Sequence, residues 1–245
     1  MGDDAKGPVT ATGSGAGLTS GLNAPPSDGD EPVLISESML DRGDSAQDFE
    51  RGMGYAPPVT IAVIVALVGV FGWQLARHGL ASEAAIVASG ALERAHVLAG
   101  EWWRTLSATA LHGSADHLVG NCISLYILGM ACEHALGGRR MLLVYGASAL
   151  AGSAVSLAVG PGPSVGASGA IFGLMGAIVV FLHRERATFR VRDGRIGYVV
   201  GAWAAYTFFL GAVSPMVDNG AHLGGLVGGA LAVLAVRPRL ARVLP

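Results

Sequence analysis

From Pro57 onward the chain repeats one theme: apolar stretches rich in Ala, Gly, Leu and Val, separated by short polar joints. A helix that crosses a hydrocarbon core needs about 20 residues. Within that core the backbone must satisfy its own hydrogen bonds, which leaves helices as the natural solution for segments of this kind. Six stretches qualify: 58–75, 117–133, 141–159, 168–182, 196–213 and 220–236. The fourth holds only about 15 residues, and a span that short either fails to cross or begins below the surface, inside the protein. The pattern predicts an all-α membrane protein with six transmembrane helices. Residues 77–116 are too apolar for a plain linker and carry Trp102, Trp103 and Arg104, residue types that settle at membrane interfaces. They are expected to form a large first loop whose short helices lie in the headgroup region.

Composition agrees. Of 245 residues, 51% are hydrophobic and only 14% charged, where a soluble domain is nearer a quarter charged. The 37 glycines suit close helix packing in lipid. A net charge of -2 with no basic stripe on a soluble domain argues against a nucleic-acid partner. Residues 1–55 hold ten acidic residues against Lys6, Arg42 and Arg51 and lack sustained periodicity. They are expected to be a disordered acidic tail, and they lack the basic head and apolar run of a secretory signal. The membrane domain is expected over 56–237, followed by a short basic tail, 238–245. Cys122 and Cys132 lie on one helix, too far apart for a disulfide, and are read as packing residues.

Arginines fix an orientation. Arg139 and Arg140 follow the second span, Arg184, Arg186, Arg190, Arg192 and Arg195 lie between the fourth and fifth, and Arg237, Arg239 and Arg242 follow the sixth. The opposing loops 160–167 and 214–219 contain neither Lys nor Arg. The positive-inside rule places both termini in the cytoplasm. The Ala/Gly/Arg bias and the compact length point to a bacterial inner (plasma) membrane.

Polar residues within spans are scarce and therefore functional candidates. His112, Asp116, His117 and Asn121 open the second span, with His117 and Asn121 on one helical face. Ser168 begins the fourth span between Gly166 and Gly169, and His222 lies just inside the sixth. With the orientation above, these three segments converge just below the outer surface. Serine is a weak nucleophile until a base takes its proton, and neutral histidine suits that task near pH 7. The Ser168 backbone N–H, at a helix N-terminus with free amides, the Asn121 side-chain amide and His117 are candidate donors to an oxyanion. Gly166 and Gly169 let other backbone approach the serine.

Other readings stand beside this one. Gly-Ala-Ser-Gly on a membrane helix is also a packing surface, and Gly169-xxx-Gly173 and Gly225-xxx-Gly229 are small-xxx-small motifs. The second of these would let the sixth helix press against the fourth and carry His222 to Ser168. A lone intramembrane histidine is also an interhelical hydrogen bonder or a proton-relay member, so a small transporter using His117, His222 and Asp116 is a rival reading. His112, Asp116 and His117 lack the His-x3-His spacing with an intervening Glu of a zinc helix, and no metal is expected.

Over residues 57–237 the chain resembles the rhomboid intramembrane serine proteases. Glu101-Trp102-Trp103-Arg104 is similar to that family's Trp-Arg loop motif. His112, His117 and Asn121 fit its His-x4-His-x3-Asn pattern, Gly166-Ala167-Ser168-Gly169 its nucleophile motif, and Ala221-His222 followed by Gly225-xxx-Gly229 its base motif. The resemblance implies a rhomboid-like bundle, a Ser168–His222 dyad, and oxyanion stabilisation by Asn121, His117 and the Ser168 amide. It implies no cofactor, transmembrane proteins as substrates, and substrate access past the fifth span and the 214–219 loop. It places Phe172 where an aromatic residue stacks on the catalytic imidazole. A polar cavity open to the outside is expected, lined by His112, His117 and Asn121. Glu133 occupies the acid of a Glu-x-Arg pattern in which Ala135 replaces the arginine, leaving Arg139 or Arg140 as substitutes. Asp218, four residues before His222, is either a third triad member or a helix cap. A catalytically silent relative that binds membrane clients is the alternative function.

Overall fold

The computed structural model describes residues 46–160, 162–192, 195–213 and 217–240. Among them are α1 (Pro58–Ala76), the short helices α2 (Glu83–Ala88), α3 (Arg94–Leu98) and α4 (Arg104–Ser107), and then α5 (Ala115–Leu136), α6 (Gly138–Val159), α7 (Ser168–Arg184), α8 (Arg195–Val213) and α9 (Asn219–Ala235). Each of the six apolar stretches carries one helix. α1, α5 and α6 are long and apolar enough to cross a membrane, and α7 and α9 are shorter apolar helices of 17 residues each. The two largest departures from the expected bounds meet at Gly137. There φ is 81°, a conformation open to glycine that ends α5 after Leu136 and lets α6 begin at once.

α9 packs most closely against α7 and α6, and glycine explains why. A Cβ on Gly225 would fall inside the carbonyl oxygen of Gly169, and one on Gly229 inside that of Gly173. On the other side, a Cβ on Gly224 would lie 2.6 Å from the Ala151 carbonyl oxygen. Backbone thus meets backbone along both faces, the close approach that small residues permit between membrane helices.

Glu133 has a different partner from the expected arginine. Its carboxylate accepts hydrogen bonds from Val59 N (3.0 Å), Thr60 N (2.8 Å) and Thr60 Oγ1 (2.8 Å). Those are the free amides of the first turn of α1, where Pro58 needs no partner and negative charge is favoured. Arg140 instead donates to the Leu136 carbonyl. The Glu133 side chain of α5 therefore caps α1, and Ala135 removes nothing that this pairing needs.

Residues 77–114 hold the short helices α2, α3 and α4. Arg104 is buried and organises them, donating to Glu101 (2.7 Å), the Val87 carbonyl (2.6 Å) and the Ala91 carbonyl (3.0 Å). Leu92 and Ser164 exchange backbone bonds of 2.9 Å, and Ser153 Oγ donates to the Thr105 carbonyl. The loop is thereby fastened to α6 and to the segment that leads into α7.

The tail assignment needs a correction at its edge. Residues 1–45 lie outside the described residues, but 46–55, also assigned to the tail, carry structure. Strand β1 (Gln47–Asp48) pairs in parallel with β2 (Phe189–Arg190), which follows α7. Phe49 is buried in a cluster with His134, Phe181 and Phe189, with ring centroids at 5.4, 6.0 and 6.5 Å. Composition suggested disorder, yet one phenylalanine with a ready aromatic pocket is enough to fix the segment. Hydrogen bonding from Arg190 holds the Asp48 carboxyl below its ordinary value of 3.8, with Arg192 adding to the effect. A depressed carboxyl contributes stability above its unfolded value and loses it as pH falls through the folded one. Asp48→Asn is therefore expected to unfold at a lower temperature than wild type at neutral pH. The gap should close well below pH 3.8; thermal unfolding at both conditions checks this.

Candidate active site

Ser168 is the first residue of α7 and His222 the fourth of α9. The glycine contacts described above bring their side chains together. His222 Nε2 lies 2.8 Å from Ser168 Oγ, within reach for direct proton transfer. His222 is buried, and its Nδ1 has no hydrogen-bond partner among the described residues. Asp218 does not bond the ring. Its side chain caps α9, accepting from Ala221 N at 2.9 Å, and Ser156 Oγ donates to its other oxygen. Of the two sequence readings of Asp218, the cap describes its contacts.

Phe172, one turn after Ser168, lies fully buried beneath the imidazole. The two rings stack at 4.4 Å and 18°. Trp203 stacks on the other face of this group, 5.2 Å from Phe172, and Phe208 meets both Phe172 (5.3 Å) and His222 (6.0 Å) edge-on. Both come from α8. These two residues were not singled out in the sequence, where aromatic residues in a span look like ordinary lipid-facing or packing groups.

His112, His117 and Asn121 form a second cluster. Asn121 Nδ2 is 2.9 Å from His112 Nε2, and the His112 and His117 rings meet edge-on at 5.1 Å. The Asn121 amide has two N–H donors, and one of them orients the group against His112. Gly166 seats this cluster beside the loop that leads into Ser168. Its φ is 124°, and a Cβ there would lie 2.6 Å from His117 Cε1 and 3.4 Å from Asn121 Nδ2. Any side chain at 166 is excluded by both strain and space. Gly166 N donates to the Ala108 carbonyl at 2.9 Å, which fixes the loop from the other side. Asp116, by contrast, is exposed.

Gln74 is a site-supporting residue the sequence reading passed over. Buried in α1, its amide brackets the His112 backbone: Nε2 donates to His112 O (3.2 Å), and His112 N donates to Oε1 (3.0 Å). A lone glutamine in an apolar span was the available signal.

Asn121→Ala tests the second cluster. Loss of one preorganised donor is expected to slow covalent reaction at Ser168 by about 10²–10³-fold. The stability cost, from leaving His112 Nε2 unpaired, should stay near 1–3 kcal/mol. Rates of modification by a fluorophosphonate, measured beside thermal unfolding, separate the two effects.

These features define an integral membrane protein with a serine–histidine pair at the junction of two glycine-packed helices. The chain belongs to the rhomboid family, whose Rhomboid domain matches residues 99–239. It is similar to rhomboid protease GluP of Bacillus subtilis (strain 168), 34% identical over 204 residues, covering 83% of this chain and 39% of that protein. It is also similar to RHOMBOID-like protein 5 of Arabidopsis thaliana, 38% identical over 161 residues, 64% of this chain and 52% of the relative. Rhomboid protease AarA of Providencia stuartii is 32% identical over 165 residues, 56% and 57% of the two chains. The matched regions thus span 39% to 57% of the length of these relatives.

Proposed function

We propose that this protein is an intramembrane serine endopeptidase that cleaves transmembrane proteins with a Ser168–His222 dyad. The observation that carries the reading is the 2.8 Å contact between His222 Nε2 and Ser168 Oγ. Two relatives named as rhomboid proteases support it.

In this mechanism the ring proton of His222 resides on Nδ1, leaving Nε2 as the acceptor. Ser168 Oγ attacks the scissile carbonyl as its proton passes to Nε2. The resulting imidazolium faces the Phe172 ring, whose π electrons favour a cation stacked against it. That contact offers a reason why two residues suffice where other serine hydrolases use three. The oxyanion is held by the Ser168 amide, the free N–H of Asn121 and His117. His222 then returns the proton to the leaving amine, and water resolves the acyl-enzyme with the same base.

Six spans with both termini in the cytoplasm complete the reading, supported by the arginine asymmetry and by one helix in each apolar stretch. The Ala/Gly/Arg bias favours a bacterial plasma membrane. The dyad then lies near the outer face, with the first loop in the headgroup layer. α8 is the element to move for substrate access, since Trp203 and Phe208 reach from it to the catalytic rings. The protein is expected to need no cofactor.

The test is covalent labelling of the detergent-solubilised protein with a fluorophosphonate, followed by mapping of the adduct. Modification on Ser168 alone supports the dyad. Folded protein that stays unmodified at Ser168 overturns it and favours the silent, client-binding alternative.

A further inference from the structure

Resting on the dyad just proposed, we infer that Asp218 and Ser156 are positioning residues that hold His222 in register with Ser168. Among the described residues, three side-chain hydrogen bonds leave the start of α9 for neighbouring helices. His222 meets Ser168 of α7, Asn219 Nδ2 donates to the Phe208 carbonyl of α8, and Ser156 Oγ of α6 donates to Asp218. The first of these is the reacting bond and changes in every turnover. The second ties α9 to α8, the element assigned to movement. Of the three, only the bond to Ser156 joins α9 to α6, a helix to which the proposed function assigns no movement.

The rest of the contact cannot do this job. Gly224, Gly225, Gly228 and Gly229 give α9 smooth faces against α6 and α7. Such faces set how near the helices come, but they offer no directional bond against small rotations or slides. Rotation of α9 by a few degrees moves an imidazole tip much further than a backbone atom. Asp218 resists it at the right place. Its carboxylate accepts from Ala221 N and so closes the turn that bears His222, while its backbone carbonyl accepts from His222 N at 3.1 Å. One residue thereby joins the capped turn to α6. Ser156 is itself well fixed, since it is buried and lies in the last turn of α6, where its carbonyl accepts from Gly160 N.

The experiment compares fluorophosphonate labelling in the full chain for wild type, Ser156→Ala, Asp218→Ala, the double variant and Asp218→Asn, with thermal unfolding of each. Ser156→Ala keeps the cap and removes only the tether. It should lower the maximal labelling rate by between about tenfold and a hundredfold, the cost of a small misplacement of a catalytic group. The probe concentration giving half-maximal rate should not change. The double variant should label no more slowly than Asp218→Ala. Asp218→Asn can cap through its oxygen and donate to Ser156 through its nitrogen, so it should recover most of the rate. Wild-type labelling by Ser156→Ala overturns the inference, as do losses that multiply in the double variant. If Asp218→Ala does not fold, Ser156→Ala decides alone. A wild type that fails to label at Ser168 removes the dyad itself, an outcome distinct from normal wild-type labelling with an indifferent Ser156→Ala.

Discussion

His222→Ala is expected to slow covalent modification of Ser168 by ~10⁴-fold or more, the range seen when the base of a serine hydrolase is removed. The magnitude follows from the site's construction. Ser168 Oγ has His222 Nε2 as its hydrogen-bond partner at 2.8 Å, and no second base stands beside it in the contacts of the described residues. Without that acceptor the hydroxyl keeps its proton and is a poor nucleophile. The proposed oxyanion donors remain, so a small residual rate should persist. The fold should tolerate the change better than the chemistry does. The imidazole's burial is shared with Phe172 and Phe208, and its removal leaves a cavity whose cost is a few kcal/mol. Labelling kinetics beside thermal unfolding check both halves. A rate near wild type in folded protein would mean that something other than His222 activates the serine.

Gly225→Ala is expected to be the more damaging change for the fold. The added methyl would occupy the space of the Gly169 carbonyl oxygen, a backbone atom that cannot swing aside as a flexible side chain would. α9 must then back away from α7. Overpacking of this kind costs typically 1–3 kcal/mol and sometimes more, and here the displaced helices carry His222 and Ser168. The expected result is a lower unfolding temperature together with loss of labelling, because the 2.8 Å contact opens with the helices. Gly201→Ala serves as the control. A Cβ there meets nothing within 4 Å, and both readouts should stay at wild-type values. Unchanged labelling by Gly225→Ala would show that α9 reaches Ser168 by some route other than this seam.

Much of this was legible before any coordinates. Hydropathy found the helices because the bilayer rewards one pattern so strongly, and the glycine motifs named the seam that brings His222 to Ser168. The stack of Phe172 on the imidazole followed only from the family resemblance, since a phenylalanine in an apolar span carries no signal of its own. Other features were hidden for physical reasons. Glu133 caps a helix more than seventy residues away in sequence, and a bare backbone N-terminus advertises no partner. Gln74 acts through the backbone of His112, which no side-chain pattern encodes. Trp203 and Phe208 belong to a face that only tertiary packing defines. The pairing of β1 with β2 joins two-residue strands 142 positions apart, well below what alternation can detect.

That last pairing changes where the molecule should be cut. A boundary drawn by composition, near Gly54, would discard β1, Phe49 and the carboxylates that meet Arg190 and Arg192. A piece that keeps this pairing starts before Gln47. Whatever is joined upstream of that point, whether native residues or a fused reporter, is fastened through Phe49 to the ends of α5 and α7. A tag placed upstream of Gln47 therefore pulls on the Phe49 cluster and, through β2, on the segment that follows α7, and is a mechanical handle on the protein rather than a neutral label.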